Sequence, residues 1–291
     1  MFGNAYTVIV GMQRCCVPTI TESPMTIPLD YHIHSYFSSD SSAIPEEICR
    51  RAIELNIREI GFSEHWDVSP YVETPRFLRP DAWWGELERL RSLFAGQLII
   101  RAGIEIAEPH RYPDETSKII SWLPFDYIMG SVHYVGEHLM RDRSYLSQHT
   151  ADEIYSAYFI EMKRMVSKSD IDIIAHFDFP ARSAKPILGY DPARYEDAIR
   201  KILGIVIERG LALEVNVAGL RKPAQNLMPD PLILGWYHEM GGDRITFGSD
   251  AHSVNLLGLN FDLALLAVRE AGLASVTQFE HRQAQLISLD Q

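Results

Sequence analysis

Cysteine is scarce in this chain, and positive charge is in the minority. Only Cys15, Cys16 and Cys49 occur among 291 residues. Their number is odd, and their spacing matches neither a disulfide framework nor a thiolate zinc site, so they read as reduced thiols of a cytoplasmic protein with no part in its chemistry. Lys and Arg number 27 against 39 Asp and Glu, a formal net charge of -12. That balance argues against a general nucleic-acid binder, which needs a basic surface facing the phosphate backbone, and leaves room only for a local basic pocket. No run approaches the roughly 20 apolar residues that span a bilayer. The first 25 residues also lack a basic segment followed by a long apolar core, so export is not expected. No membrane, nucleic-acid or protein partner is implied, and the oligomeric state is left open.

What the chain does have is apolar material for a large core. Hydrophobic residues make up 46% of it, suited to one large α/β domain or two small ones. Strand-like runs recur at 28–34, 59–63, 98–106, 126–133, 172–177, 212–216 and 244–249. Helix-like stretches lie between them. The stretch 150–166 opens with the capping box Thr150-Ala151-Asp152-Glu153 and repeats Ile154, Tyr158, Met162 and Met165 at helical spacing. A second helix is expected over 192–209, with Tyr195, Ile199, Ile202 and Val206 facing the core and Gly210 ending it. Pro45, Glu46 and Glu47 suit the start of a third. Alternating strands and helices imply a parallel sheet, either open or closed into a barrel.

The polar residues favour the barrel. His34, His65, Glu105, His133, His176, Asp250 and His252 fall at or just beyond the C-terminal ends of the strand-like runs. A barrel gathers those ends at one mouth, whereas an open sheet spreads them along an edge. Strand alternation should turn His32 with His34, and Asp250 with His252, in common directions. His110, His138, His149, His238 and His281 have no such context and read as surface or structural residues. The set His32, His34, Asp40, His65, Glu105, His133, His176, Asp250 and His252 supplies six imidazoles and three carboxylates. Three or four protein ligands per ion, with bridging carboxylate, fit two or three divalent cations, with three preferred. Nitrogen and oxygen donors without thiolate suit zinc, manganese or iron.

These residues resemble a known family. His32-Ile33-His34, Phe62-Ser63-Glu64-His65, Gly103-Ile104-Glu105, Gly130-Ser131-Val132-His133, Ala175-His176 and Gly248-Ser249-Asp250-Ala251-His252 are similar, in order, to the motifs of the polymerase-and-histidinol-phosphatase (PHP) superfamily. Glu214-Val215-Asn216 and Gly219-Leu220-Arg221-Lys222-Pro223 resemble a segment of its stand-alone histidinol-phosphate phosphatases. The resemblance implies a distorted seven-stranded TIM-like (β/α)7 barrel over residues 26–291, preceded by an extension over 1–25. It also implies a trinuclear metal centre and hydrolysis of a phosphate monoester, most simply histidinol phosphate in histidine biosynthesis. Two departures stand out: Glu64 where the family commonly has aspartate, and Val217-Ala218 where small hydroxyl residues often follow the asparagine.

For such an ester, clustered cations would offset phosphoryl charge and lower the pKa of bound water to about 7, making a metal-bridging hydroxide the expected nucleophile. Arg221, Lys222, Arg182 and Lys185 fall in loops after two of the strand-like runs and are candidate phosphate contacts, with Arg221 ranked first. Asn216 either touches phosphate or supports a ligand. Asp250, His252 and His176 are the candidate catalytic acids. Trp66, Trp83 and Trp84 read as core packing. The alternatives are a related phosphoesterase for another small phosphate or nucleotide, a metal-dependent amidohydrolase, and a metal-binding module without activity.

Overall fold

The computed structural model describes residues 28–289. The expected N-terminal extension, with Cys15 and Cys16, lies outside the described residues; Cys49 is buried and unpaired.

Seven parallel strands build the body: β1 (Leu29–Ile33), β2 (Glu59–Trp66), β3 (Ile99–Ala107), β4 (Tyr127–Ser131), β5 (Ile173–Ile174), β6 (Ala212–Asn216) and β7 (Ile245–Gly248). They follow one another around the sheet in sequence order. Their burial on both faces explains why they read as continuous apolar runs rather than as alternating ones. The circle is nearly closed. A bridge between Ile33 and Ala251 joins β1 to the segment after β7, with His34 N donating to Ala251 O at 2.9 Å and Ala251 N to His32 O at 3.3 Å. Asp30 reinforces the seam by accepting from Ser249 N at 2.9 Å. The fold is the distorted (β/α)7 barrel that the strand-end histidines favour.

The longer helices are α1 (Pro45–Glu54), α2 (Pro80–Leu93), α3 (Pro113–Trp122), α4 (Ala151–Lys168), α5 (Ala181–Leu188), α6 (Glu196–Glu208), α7 (Pro231–Glu239) and α8 (Phe261–Glu270). The box at the start of α4 forms in both directions, Glu153 N to Thr150 Oγ1 at 3.3 Å and Thr150 N to Glu153 Oε2 at 2.8 Å. The expected helix over 192–209 divides into a 3-10 turn, Pro192–Tyr195, and α6, whose Ile199, Ile202 and Val206 are buried. Gly210 follows at φ 66°, a left-handed position that glycine adopts without a Cβ penalty. Trp66 and Trp83 are buried in the core, and Trp84 packs against it. Among the described residues no helix is long and apolar enough to cross a membrane.

The end of the barrel opposite the histidines is filled and covered. Tyr127 lies against Gly61 and Gly103, where an added Cβ would come within 2.0 and 2.1 Å of its side chain, and donates to Tyr31 O at 2.6 Å. Glu59 accepts from Tyr31, from Arg101 at 2.8 Å and from Gln278 at 3.0 Å. An antiparallel hairpin of Ser275–Glu280 and Gln283–Ser288 supplies Gln278 and lies across this end. Its turn residues His281 and Arg282 have φ of 48° and 63°. These are the positive values a tight hairpin needs, adopted without the Asn-Gly signal that makes such turns visible in sequence.

Candidate metal centre

At the other end, the nine expected ligands converge, and Glu105 is the hub. On β3 it sits in register with His65 of β2. Its Oε2 lies 2.9 Å from His65 Nδ1, 3.3 Å from His32 Nε2 and 3.5 Å from His34 Nε2. Its Oε1 lies 2.9 Å from His176 Nε2 and 3.4 Å from His133 Nε2. Asp250 Oδ1 closes the far side, 3.7 Å from His34 Nε2, 3.9 Å from His32 Nε2 and 3.4 Å from His252 Nδ1. Asp40 stands at the rim, 3.3 Å from His252 Nε2 and 3.6 Å from His65 Nε2.

Three overlapping triads have donor atoms within 4.8 Å of one another: His34, His65 and His252; His32, Glu105 and His176; and His32, His34 and Asp250. His133 and Asp40 adjoin these triads without belonging to one. The donor chemistry fits divalent cations. His34 Nε2, His65 Nδ1 and Glu105 Oε1 are buried with no hydrogen-bond partner, although each has a donor or acceptor within about the distance of one. Buried polar atoms are ordinarily paired. Here they belong to triads whose donor atoms lie within 4.8 Å of one another, a spacing that suits ligand atoms around an ion.

The local electrostatics separate the imidazoles. Burial opposes charge on His32, but Glu214, Glu105 and Asp250 outweigh it and hold its pKa well above the ordinary value. For His34, burial and the neighbouring His65, His252 and His32 drive the pKa well below it, against Glu105. A neutral imidazole is the form that coordinates metal. Burial opposes the charge of Asp250, but His32, His252 and Arg182 hold it as a carboxylate.

A further layer aims these side chains. Glu214 Oε1 lies 2.6 Å from His32 Nδ1; a carboxylate only accepts, so the proton sits on Nδ1 and Nε2 is directed at the cluster. Asn216 donates to the same Glu214 oxygen at 3.0 Å. Gly248 makes the room, since a Cβ there would lie 1.9 Å from Glu214 Oε1 and 2.7 Å from His32 Cβ. Glu64 accepts from the hydroxyls of Ser35 at 2.5 Å and Ser38 at 2.6 Å, and Ser38 Oγ in turn meets His34 Nδ1 at 3.2 Å. Glu108 Oε1 accepts from His133 N at 2.6 Å and Tyr134 N at 2.9 Å.

The cluster forms the floor of a cavity of about 350 Å³. Arg182 and Arg141 line it, as do Asp67, Tyr71, Glu73 and Tyr134. Arg182 sits 3.6 Å from Asp250 Oδ2 and lies over the ring of Phe179 at 5.1 Å.

The PHP domain model matches residues 30–218, well over half of this chain. The chain belongs to the PHP domain family. A probable histidinol-phosphatase of Deinococcus radiodurans is 27% identical to this PHP chain over 268 residues, covering 90% of this chain and 100% of that protein. The histidinol-phosphatase of Lactococcus lactis is 27% identical over 262 residues, covering 86% and 94%. Among solved structures, histidinol phosphate phosphatase from Lactococcus lactis, complexed with zinc, L-histidinol and phosphate, is similar with a TM-score of 0.82 at 26% identity, over 89% of this chain and 98% of that one.

Within this PHP domain several sequence-based expectations change. β7 ends at Gly248, so Asp250 and His252 are not alternate residues of a strand. Asp250 instead has φ 50°, and His176, beyond the two-residue β5, has φ 49°. Left-handed backbone turns both side chains inward where a strand would have run on. Of the expected phosphate contacts, only Arg182 lines the cavity. Arg221 donates to Ser249 O at 2.7 Å and Asp250 O at 3.3 Å, bracing the segment that carries Asp250. Lys222 is exposed, Lys185 lies on α5, and neither is a lining residue. Asn216 is fully buried behind Glu214, in a supporting place rather than at the cavity. Glu108 and Arg141 were not singled out by sequence; both lie in connections whose course only the folded chain fixes. Of the histidines set aside, His110 is tied to Glu161 at 2.7 Å and His138 stacks on Tyr145 at 4.1 Å.

Proposed function

We propose that this protein is a metal-dependent phosphate monoester hydrolase whose substrate is histidinol phosphate, as in histidine biosynthesis. The observation that carries the reading is the set of three donor triads linked through the fully buried His32 and His34, whose other members His65, Glu105, His176, Asp250 and His252 line one cavity, in a PHP chain similar along most of its length to an enzyme solved with zinc, L-histidinol and phosphate. His32, His34, Asp40, His65, Glu105, His133, His176, Asp250 and His252 would hold two or three divalent ions, zinc first and manganese or iron as alternatives. When bound, such ions supply Lewis-acid charge against the phosphoryl oxygens and bring the pKa of water down to about 7.

The chain's own groups do the rest. Arg182, beside the cluster and stacked on Phe179, is placed to grip a phosphoryl oxygen through its planar guanidinium. Asp250, held as a carboxylate, is suited to accept the proton of the attacking water. His252, at the partly exposed edge of the cluster, is suited to return one to the leaving alkoxide. His176 is buried among Glu105 and His133 and fits ligation better than proton transfer.

The test is phosphate release by metal-loaded protein from L-histidinol phosphate against sugar phosphates, nucleotides and short oligonucleotides. A kcat/KM for histidinol phosphate about tenfold above the rest, ~1.4 kcal/mol of transition-state preference, is the expected result. Preference for a nucleotide or sugar phosphate would replace the substrate and keep the chemistry. Exchanging Arg182 for alanine should lower kcat/KM by about 100-fold, the scale of one lost transition-state donor, at unchanged metal content. Turnover within threefold of the parent would remove Arg182 from the phosphate site.

A further inference from the structure

The cavity over the cluster is electrically divided. Arg182 follows β5 and faces Asp250, whereas Asp67 follows β2, on the opposite side of a seven-strand circle. Asp67 lies two residues beyond His65 and lines the same cavity, and its Oδ1 is buried with no hydrogen-bond partner. Among the described residues it has no ion-pair partner. Arg76, whose backbone N binds Asp67 O, sends its guanidinium away to Glu115 at 3.4 Å. A buried carboxylate oxygen left unpaired costs free energy, which a ligand donor would offset.

The surroundings say what that donor is. Glu73, exposed on the loop that follows β2, adds a second carboxylate to the same wall. Tyr71 and Tyr134 stand beside it, ring centroids 6.4 Å apart, with Tyr134 donating to Tyr71 O at 3.3 Å. The carboxylates of Asp67 and Glu73 on one wall face the guanidinium of Arg182 across the cavity, so this side of it carries the negative charge. Two carboxylates and two phenol rings suit a flat or compact nitrogen cation, which gains from charge pairing and from the ring faces together.

We infer that Asp67 and Glu73, flanked by Tyr71 and Tyr134, read a cationic nitrogen, an ammonium or imidazolium, on the alcohol portion of the phosphate ester while its phosphoryl group lies on the Arg182 side. The inference rests on the proposed phosphatase function and assigns that site's selectivity to particular residues. Asp67 and Glu73 are specificity-determining residues here, remote from the reacting phosphorus.

The experiment compares kcat/KM for L-histidinol phosphate with that for 4-nitrophenyl phosphate, which carries no cation, on the metal-loaded protein and its variants. The ratio of the two is the readout. Asp67→Asn should lower it about tenfold or more, Glu73→Gln about threefold, and Asp67→Glu should keep most of it. A role confined to folding would lower both rates together and leave the ratio in place. Glu73→Gln, on an exposed loop, keeps the test decisive where Asp67→Asn fails to fold. An unchanged ratio in both variants overturns the assignment, as does loss of bound metal in Asp67→Asn, which would make Asp67 a ligand. A parent protein with no preference for the cationic ester would instead overturn the substrate reading beneath it.

Discussion

Exchanging Glu105 for glutamine should lower kcat/KM for phosphate release by about 1,000-fold or more, ~4 kcal/mol, and should lower the bound metal content by at least one ion. The reason is geometric and electrostatic at once. Both Glu105 oxygens face imidazole nitrogens on four other strand ends, at 2.9 to 3.5 Å. Glutamine keeps the volume but halves the acceptors, removes the charge that offsets clustered cations, and turns an amide N–H₂ toward nitrogens whose lone pairs should bind metal. Elemental analysis of dialysed protein, alongside turnover, separates a lost ligand from a lost catalytic group. Full metal occupancy with turnover within tenfold of the parent would overturn the placement of Glu105 at the hub.

Glu214→Ala should destabilise the metal-free protein by about 3–5 kcal/mol, the scale for removing one partner of a buried ion pair. Glu214 and His32 are both fully buried, with 2.6 Å between Oε1 and Nδ1. Removing the carboxylate leaves the His32 N–H and the Asn216 amide without their acceptor. Urea unfolding of the metal-free variant measures the loss. Glu214→Gln keeps an acceptor oxygen and should cost much less stability, yet still weaken metal binding by about 10- to 100-fold because the imidazole becomes less basic. A metal affinity unchanged in Glu214→Gln would reduce Glu214 to a packing residue.

The candidate site was legible to different depths for different residues. His32, His34, His65 and Glu105 could be placed from strand position, because parallel strands in register bring successive C-terminal ends to one mouth; His65 and Glu105 are direct partners across β2 and β3. Asp250 is expected to turn inward with His252 by strand alternation, but left-handed backbone aims it instead; His176, expected from its place at the end of a strand-like run, is turned by the same backbone conformation. Arg221 looked like the foremost phosphate contact from its loop position, yet its guanidinium is engaged by carbonyls of the segment carrying Asp250. Loop position fixes neither the direction of a long side chain nor its partners. The closing hairpin carries no turn signal in the sequence, because its turn places His281 and Arg282 at positive φ instead of glycine or asparagine.

By itself the sequence determined the alternation of strand and helix, the closed architecture that polar residues at six strand ends favour, and the inventory of imidazoles and carboxylates from which a metal centre can be made. Each depends on periodicity, or on residue type at the end of an element, and such information is local. The tertiary structure alone decided that Glu105 is the hub, that Arg182 rather than Arg221 lines the cavity, and that Asp67 faces it unpaired. Those outcomes depend on distances between side chains brought together from separate strands, and on which hydrogen bonds the intervening backbone has already claimed.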